Sequence, residues 1–214
     1  MKTKRKVCGV GINDSTTPIN KRVTLPHPKG KQIQKTVWAC PFYIVWTDML
    51  KRCYSPKYLA KYPTYEGCTV CDEWLYFSKF RAWMEEQDWE GKELDKDFIK
   101  MGNKVYCPEF CLFLSKQMNY LFLTKANQRG ETLLGTRRTK SGKYQVSCST
   151  SNKVRYYGTH VCEMYAHNIW KKVKLDHLKE LAVSETDERI IAGIKQRVSL
   201  LEDSINNNTR VEYL

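Results

Sequence analysis

Two sets of residues in this 214-residue chain have the types and spacing to do chemistry. The first is thiols. Cys68-x-x-Cys71 and, further on, Cys107-x-x-x-Cys111 carry the paired spacing of a four-thiolate zinc site, in which a structural Zn2+ staples two loops together. The same thiols would also serve as small buried hydrophobes. Cys71 directly precedes an amphipathic stretch, Cys111 opens an apolar run, and Cys40 and Cys53 read as core. The second set is cationic and amide side chains between Leu133 and His160. The turn signals Lys140-Ser141-Gly142 and Thr150-Ser151-Asn152 divide this stretch into three short strands. Alternation puts Tyr144, Val146 and Cys148 on one face with Val154 and Tyr156. Lys143, Gln145 and Ser147 then share the other face with Lys153, Arg155 and Tyr157. A guanidinium suits the guanine edge, a carboxamide suits adenine, and an ammonium suits phosphate. The candidate DNA contacts are therefore Arg137, Arg138, Lys143, Gln145, Arg155 and Tyr157. Lys140, Lys153 and, from the N-terminal arm, Lys4, Arg5 and Lys6 would hold phosphates. A solvated sheet face is also polar, but these strand positions hold few acids.

Those strands need an element behind them. Val161, Met164, Tyr165, Ile169, Val173, Leu175, Leu178 and Leu181 follow at helical spacing. This predicts a three-stranded antiparallel meander backed by one helix, with Tyr165 and Trp170 under the sheet and His160, His167 and His177 at the surface. Upstream, 37–124 reads as one α+β unit. It has a helix over Cys40–Cys53, a proline-bearing loop over Tyr54–Thr69, and an amphipathic helix from Cys71 to Gln87. A hairpin over Leu94–Tyr106 turning at Gly102-Asn103 follows, then a strand-to-helix segment from Cys111. Trp38, Trp46, Trp74 and Trp83 read as core rather than base-stacking platforms. At the C-terminus, Ser184 with Asp187 forms a capping-box pattern. Ile190, Ile191, Ile194, Val198 and Leu201 then make a stripe that docks on the chain or dimerises. Asn206-Asn207-Asn208 ends that helix before a frayed tail.

Charge narrows the function class. The chain carries +13, with +8 in residues 1–36, −1 in 37–124, +8 in 125–182 and −2 in 183–214. Two basic regions flanking a neutral middle suit a DNA-binding module with a basic arm. No apolar run is long enough to span a membrane, so no membrane partner is expected. The start MKTKRKVCGV is basic without an apolar core region, so no signal peptide is expected. Nine cysteines, an odd count, then point to a reducing cytoplasm rather than a disulfide framework.

Two resemblances attach to these residues. Gly135-Thr136-Arg137-Arg138, then Gly142-Lys143-Tyr144-Gln145-Val146, then Tyr157-Gly158-Thr159-His160 before a helix resembles the Apetala-two type DNA-binding domain of plant ethylene-response factors. That type also occurs in phage proteins and mobile endonucleases. Here Thr136 stands at a valine position, and Tyr157 to His160 stand for Leu-Gly-x-Phe. The resemblance implies DNA contact through the sheet. The second covers the middle of the chain. Trp46, Arg52, Cys53, Cys71, Glu73, Trp74, Asp95, Asp97, Tyr106, Pro108, Cys111 and Asn119 resemble the pattern of a phage family described as HNH-endonuclease-like, with departures at Phe110 and Cys107. It implies a small ββα-type unit, a host-cell cytoplasmic setting, and Asp95, Asp97 and Asn119 as candidate catalytic residues holding Mg2+. Lys96 occupies the general-base position, and the only histidines are His27, His160, His167 and His177. The middle unit therefore lacks a histidine base. A simpler reading has Asp95 capping a turn and Asp97 pairing with a lysine.

The expected architecture is α+β in four parts. These are a basic arm (1–36), an HNH-like unit (37–124), an Apetala-two-like domain (125–182) and a C-terminal helix (183–214). The leading expectation is a phage-type protein that binds double-stranded DNA, with an HNH-like unit that no longer cuts. A metal-dependent endonuclease and an accessory protein that binds and inhibits a host protein are the other two readings.

Overall fold

Turn residues and proline keep the elements short up to His160, two long helices follow, and the computed structural model of the chain describes residues 6–26, 30, 32–122, 131–150 and 153–214. The fold is mixed α+β. It divides into two compact units, residues 1–97 with 102–113, and residues 98–101 with 114–214. The C-terminal helix thus belongs with the sheet that precedes it.

The first unit opens with an antiparallel ribbon, β1 (Asn20–Pro26) and β2 (Gln32–Ala39). Helix α1 (Pro41–Tyr54) starts at a proline, whose missing N–H costs nothing in a first turn. Its face of Trp46, Met49, Leu50 and Cys53 is buried against Trp74, Phe77, Phe80 and Met84. The Trp46 indole donates to the Trp74 carbonyl at 2.7 Å. Gly11 lies so close to α1 that a Cβ there would sit 2.4 Å from Leu50. The expected loop after α1 contains a short helix, α2 (Pro56–Lys61), and a 3-10 turn (Pro63–Tyr65). The expected helix from Cys71 to Gln87 is broken into a 3-10 turn (Asp72–Leu75) and α3 (Phe77–Glu85). Ile12 bridges the backbone at the break, donating to the Leu75 carbonyl at 2.8 Å and accepting the Phe77 N–H at 3.0 Å, and the Asp14 carboxylate accepts the Ser78 N–H at 2.8 Å at the start of α3.

The expected Leu94–Tyr106 hairpin does not form. β4 (Lys92–Asp95) pairs instead with β6 (Leu112–Ser115), and β5 (Val105–Tyr106) runs parallel to β3 (Thr69–Val70). The Asn103 amide occupies the backbone groups that a hairpin would need, donating to the carbonyls of Lys96 (2.6 Å) and Val105 (2.7 Å).

In the second unit, α4 (Lys116–Phe122) precedes the meander of β7 (Thr136–Arg138), β8 (Tyr144–Thr150) and β9 (Lys153–His160). Helices α5 (Glu163–Ser184) and α6 (Glu188–Asn206) follow. The meander and its backing helix fall where the alternation put them. Asp187, not Ser184, is the cap of α6, accepting from the N–H groups of Arg189 and Ile190. The α6 stripe of Ile190, Ile194 and Leu201 is buried, and α6 packs on α5, so docking on the chain is realised. The tail is docked rather than frayed. Val211 and Leu214 are buried, and the buried Lys171 ammonium donates to the carbonyls of Ser204 and Thr209 (3.0 and 2.8 Å).

Gly135 has φ +75, and a Cβ there would fall 1.9 Å from the Trp170 ring. Gly142 has the similar φ +79 but open space around it. Gly142→Ala is expected to cost only the left-handed penalty, ~1–2 kcal/mol. Gly135→Ala adds overpacking and should lower the unfolding free energy by on the order of 3 kcal/mol. Urea titration of the two variants checks this; equal losses would contradict it.

Candidate nucleic-acid interface

The three-stranded sheet is positioned by its first residues. His167, on α5, is fully buried. Its Nδ1 lies 2.9 Å from the Leu134 carbonyl, and its Nε2 accepts the Val211 N–H at 3.1 Å. Donating at one nitrogen and accepting at the other requires the neutral Nδ1–H ring. This corrects the expectation that His167 is a surface residue. Trp170 stacks on that ring at 5.5 Å and meets Gly135. Glu163, in the first turn of α5, accepts the Leu133 N–H at 2.8 Å. Leu133, Leu134 and Gly135 are thereby seated on α5 directly before β7. Tyr165, expected under the sheet, instead points outward at 58% exposure and leans on His160.

Pairing fixes which side chains share a face. β7 sets Thr136 opposite Val146, Arg137 opposite Gln145 and Arg138 opposite Tyr144. Val146, Cys148 and Thr136 are buried towards α5, as alternation predicts for β8. β9 does not follow the predicted phase. Gln145 pairs with Thr159 and Ser147 with Tyr156, so Tyr157 and Gly158 together oppose Val146. That bulge shifts β9 by one residue, and a one-residue shift moves every side chain to the opposite face. Gly158 takes φ +99 there. The outer face is therefore Arg137, Gln145, Ser147, Ser149, Val154, Tyr156 and Thr159. Val154 and Tyr156, expected in the core, are 66% and 58% exposed.

The candidate contacts are thus distributed differently from the expectation. Arg137 and Gln145 are cross-strand neighbours on the outer face. Arg138 is exposed beside Tyr144 on the α5 side, and Lys140 and Lys143 flank the β7–β8 turn, exposed. Lys153 and Arg155 are exposed but share the side of Thr150 and Cys148, and Tyr157 is half-buried in the bulge. Lys6 is exposed, and Lys4 and Arg5 lie outside the described residues. Tyr156, which alternation put on the inner face, and Thr159 hydrogen-bond at 2.6 Å through their hydroxyls. A glycine inside a strand was the available signal, since it marks bulges. From Thr132 to Cys162 the sequence has six Lys or Arg and no Asp or Glu. The outer face therefore presents two hydrogen-bonding side chains of base-reading type, Arg137 and Gln145, on strands that carry no carboxylate.

A further cation lies beneath the sheet. Lys174 of α5 is buried and donates to the Leu121 carbonyl at 2.8 Å. Burial lowers its pKa from the ordinary value near 10.5, and the nearby Cys148 opposes this weakly.

The remaining candidates are engaged locally. Asp95, at the end of β4, accepts the Asp97 N–H at 2.9 Å, the geometry of an Asx turn. The Asp97 carboxylate lies 3.2 Å from the Lys96 ammonium. Lys96 is buried and donates to the Asn103 carbonyl at 3.0 Å. Asn119 lies on α4, in the second unit, whereas Asp95 and Asp97 lie in the first. Of the candidate zinc ligands, Cys71 and Cys107 directly follow the ends of β3 and β5, with the Cys71 N–H bonded to the Tyr106 carbonyl at 3.0 Å. Cys68 and Cys111 are buried. Burial raises the thiol pKa of Cys68, Cys71 and Cys111, and Cys53 is pushed up to about 12. Among the described residues no three His, Cys, Asp or Glu side chains converge as metal donors. Nor does any described helix have the length and apolarity to cross a membrane.

No family model matches the chain, and no curated protein or solved structure matches it either.

The lowered Lys174 pKa has a pH signature. The unfolded chain keeps this proton up to about pH 10.5, and the folded chain releases it earlier. The burial penalty holds while the ammonium persists and is relieved as pH rises through the lowered folded value. Wild-type stability should therefore rise relative to Lys174→Met between neutral pH and about 10.5. Urea titrations of both chains in reductant read this, and a constant difference would contradict it.

Proposed function

We propose that this chain binds double-stranded DNA through the outer face of the β7–β8–β9 sheet. The carrying observation is the Arg137–Gln145 cross-strand pair on a face that holds no acid, beside a turn that carries Lys140 and Lys143. An antiparallel ribbon or sheet face fits the major groove, where arginine reads guanine and glutamine reads adenine through paired hydrogen bonds. Tyr156 and Thr159 extend the same face and supply an aromatic edge and hydroxyls. Lys140 and Lys143, at the turn, are suited to phosphates rather than bases. Arg155, on the opposite side of the ladder from Gln145, is assigned a phosphate role at most. The finer reading, an Apetala-two-like domain beside an HNH-like unit in a phage-type protein, rests on the sequence resemblance. Asp95 and Asp97 favour binding over cutting in that reading, since their carboxylates are engaged in an Asx turn and an ion pair.

The test is selection of bound duplexes from a random pool, followed by affinity measurements on the enriched site. Arg137→Ala and Gln145→Ala should each weaken specific binding by ~1–3 kcal/mol and relax preference at one base pair. Arg155→Ala should weaken enriched and random duplexes alike and lower the salt slope by about one. No enriched sequence, or an Arg137→Ala variant with wild-type selectivity, would overturn the proposal.

A further inference from the structure

The β1–β2 ribbon stands outside the core of the first unit. Residues from Lys21 to Trp38 are exposed wherever they are described, on both faces of the ribbon. Among the described residues it pairs with no third strand. A two-stranded ribbon without a covering layer is marginal in water, so its composition is informative. Lys21 pairs with Trp38, Val23 with Lys35 and Leu25 with Ile33. These six side chains share one face, and a bulge opposite Lys21–Arg22 adds Val37 beside them. Arg22, Thr24, Gln34 and Thr36 form the other face, where the Gln34 amide donates to the Thr24 hydroxyl at 2.7 Å. Ile33 is 46% exposed and Trp38 43%, so Trp38 is not the core residue the sequence suggested.

One face is thus apolar with a lysine on each strand, and the other is polar and at home in water. The charge around it is one-sided. Between Asp14 and Asp48 the sequence has five Lys or Arg and no acid. A second copy of the ribbon, stacked face to face, would bring lysines together without carboxylates to receive them. A duplex groove offers what this face lacks: apolar sugar walls for Val23, Leu25 and Ile33, and phosphates along both rims for Lys21 and Lys35. The seven-residue β1 extends roughly 23 Å, enough to follow a groove over several base pairs.

We infer that the β1–β2 ribbon is a second DNA-contacting arm, lying in the minor groove with its Val23–Leu25–Ile33 face inward and Lys21 and Lys35 on the phosphates. The inference rests on the reading of duplex DNA as the partner, but not on the residues of the C-terminal sheet. An arm of this kind reads groove width and deformability rather than base identity, so it would add affinity and bending to the selectivity of the sheet.

The experiment uses the full chain and a long duplex, with hydroxyl-radical footprinting and affinity as a function of salt. Lys21→Ala/Lys35→Ala changes only exposed side chains. It should lower the slope of log affinity against log salt by about two and remove minor-groove protection flanking the main footprint. Ile33→Ser should remove the same flanking protection with little change in slope. Arg137→Ala should do the reverse, loosening the central footprint and sparing the flanks. Unchanged slope and flanks in Lys21→Ala/Lys35→Ala, with the central footprint intact, would overturn the ribbon's role and leave the sheet's standing. A wild-type chain that binds no duplex would overturn both. Binding to phosphatidylglycerol vesicles that is lost in Lys21→Ala/Lys35→Ala, with duplex binding unchanged, would assign the ribbon to an anionic lipid surface instead. A dimer that dissociates in Ile33→Ser, with the flanks unchanged, would assign it to a second copy.

Discussion

The second unit depends on one neutral imidazole. His167 accepts the Val211 N–H at Nε2 and donates its Nδ1–H to the Leu134 carbonyl. It ties the C-terminal tail, α5 and the first strand of the sheet together at a single buried point. Buried polar groups are costly unless paired, and both nitrogens here are paired to backbone. Trp170 stacks on the ring and presses on Gly135, a position where no side chain fits. Lys171, one turn along from His167, is held by carbonyls at the end of α6 and in the tail. The same few residues thus anchor the sheet on one side and close the helix pair on the other. This seating fixes which way Arg137 points, because β7 begins at Thr136, immediately after Gly135.

From that anchor the chemistry of the outer face follows. Cross-strand pairing brings Arg137 beside Gln145, and the bulge at Tyr157–Gly158 turns Tyr156 and Thr159 outward to join them. In a regular β9, Tyr156 and Thr159, three residues apart, would face opposite ways, and Arg155 would share the face of Thr159. Exposed cations thus stand on the strands and turn of the sheet in one unit and on the ribbon in the other. Both are antiparallel and both are free of carboxylates. The proposed division of labour has the sheet selecting sequence by hydrogen bonds while the ribbon contributes shape-dependent contact.

Much of this was legible in the sequence, and the failures have physical causes. The meander, its helix and the buried Val146–Cys148 face follow from turn residues and alternation. The face of β9 was not legible from alternation alone, because a bulge changes the phase without changing the composition. The Leu94–Tyr106 hairpin failed because the Asn103 side chain competes locally for the backbone groups the hairpin needs. The burial of His167 was hidden because its partners, Leu134 and Val211, are distant in sequence and contribute only backbone atoms. Composition and charge mark 1–36 as a basic arm but do not reveal the ribbon within it, because its strands bury no side chain and so leave no one-sided apolar pattern. Asp95 and Asp97 were legible both as metal ligands and as turn-formers, and their observed contacts are those of turn-formers.

Amide hydrogen exchange of the full chain, with and without a saturating duplex, tests the central claim most directly, because it reports where the duplex lies without altering any residue. The expected result is slowed exchange across β8 and β9 and the Lys140–Lys143 turn, with the buried helices unchanged. A bound duplex that leaves 136–160 unaffected while slowing 92–106 would contradict the account and move the interface to the first unit.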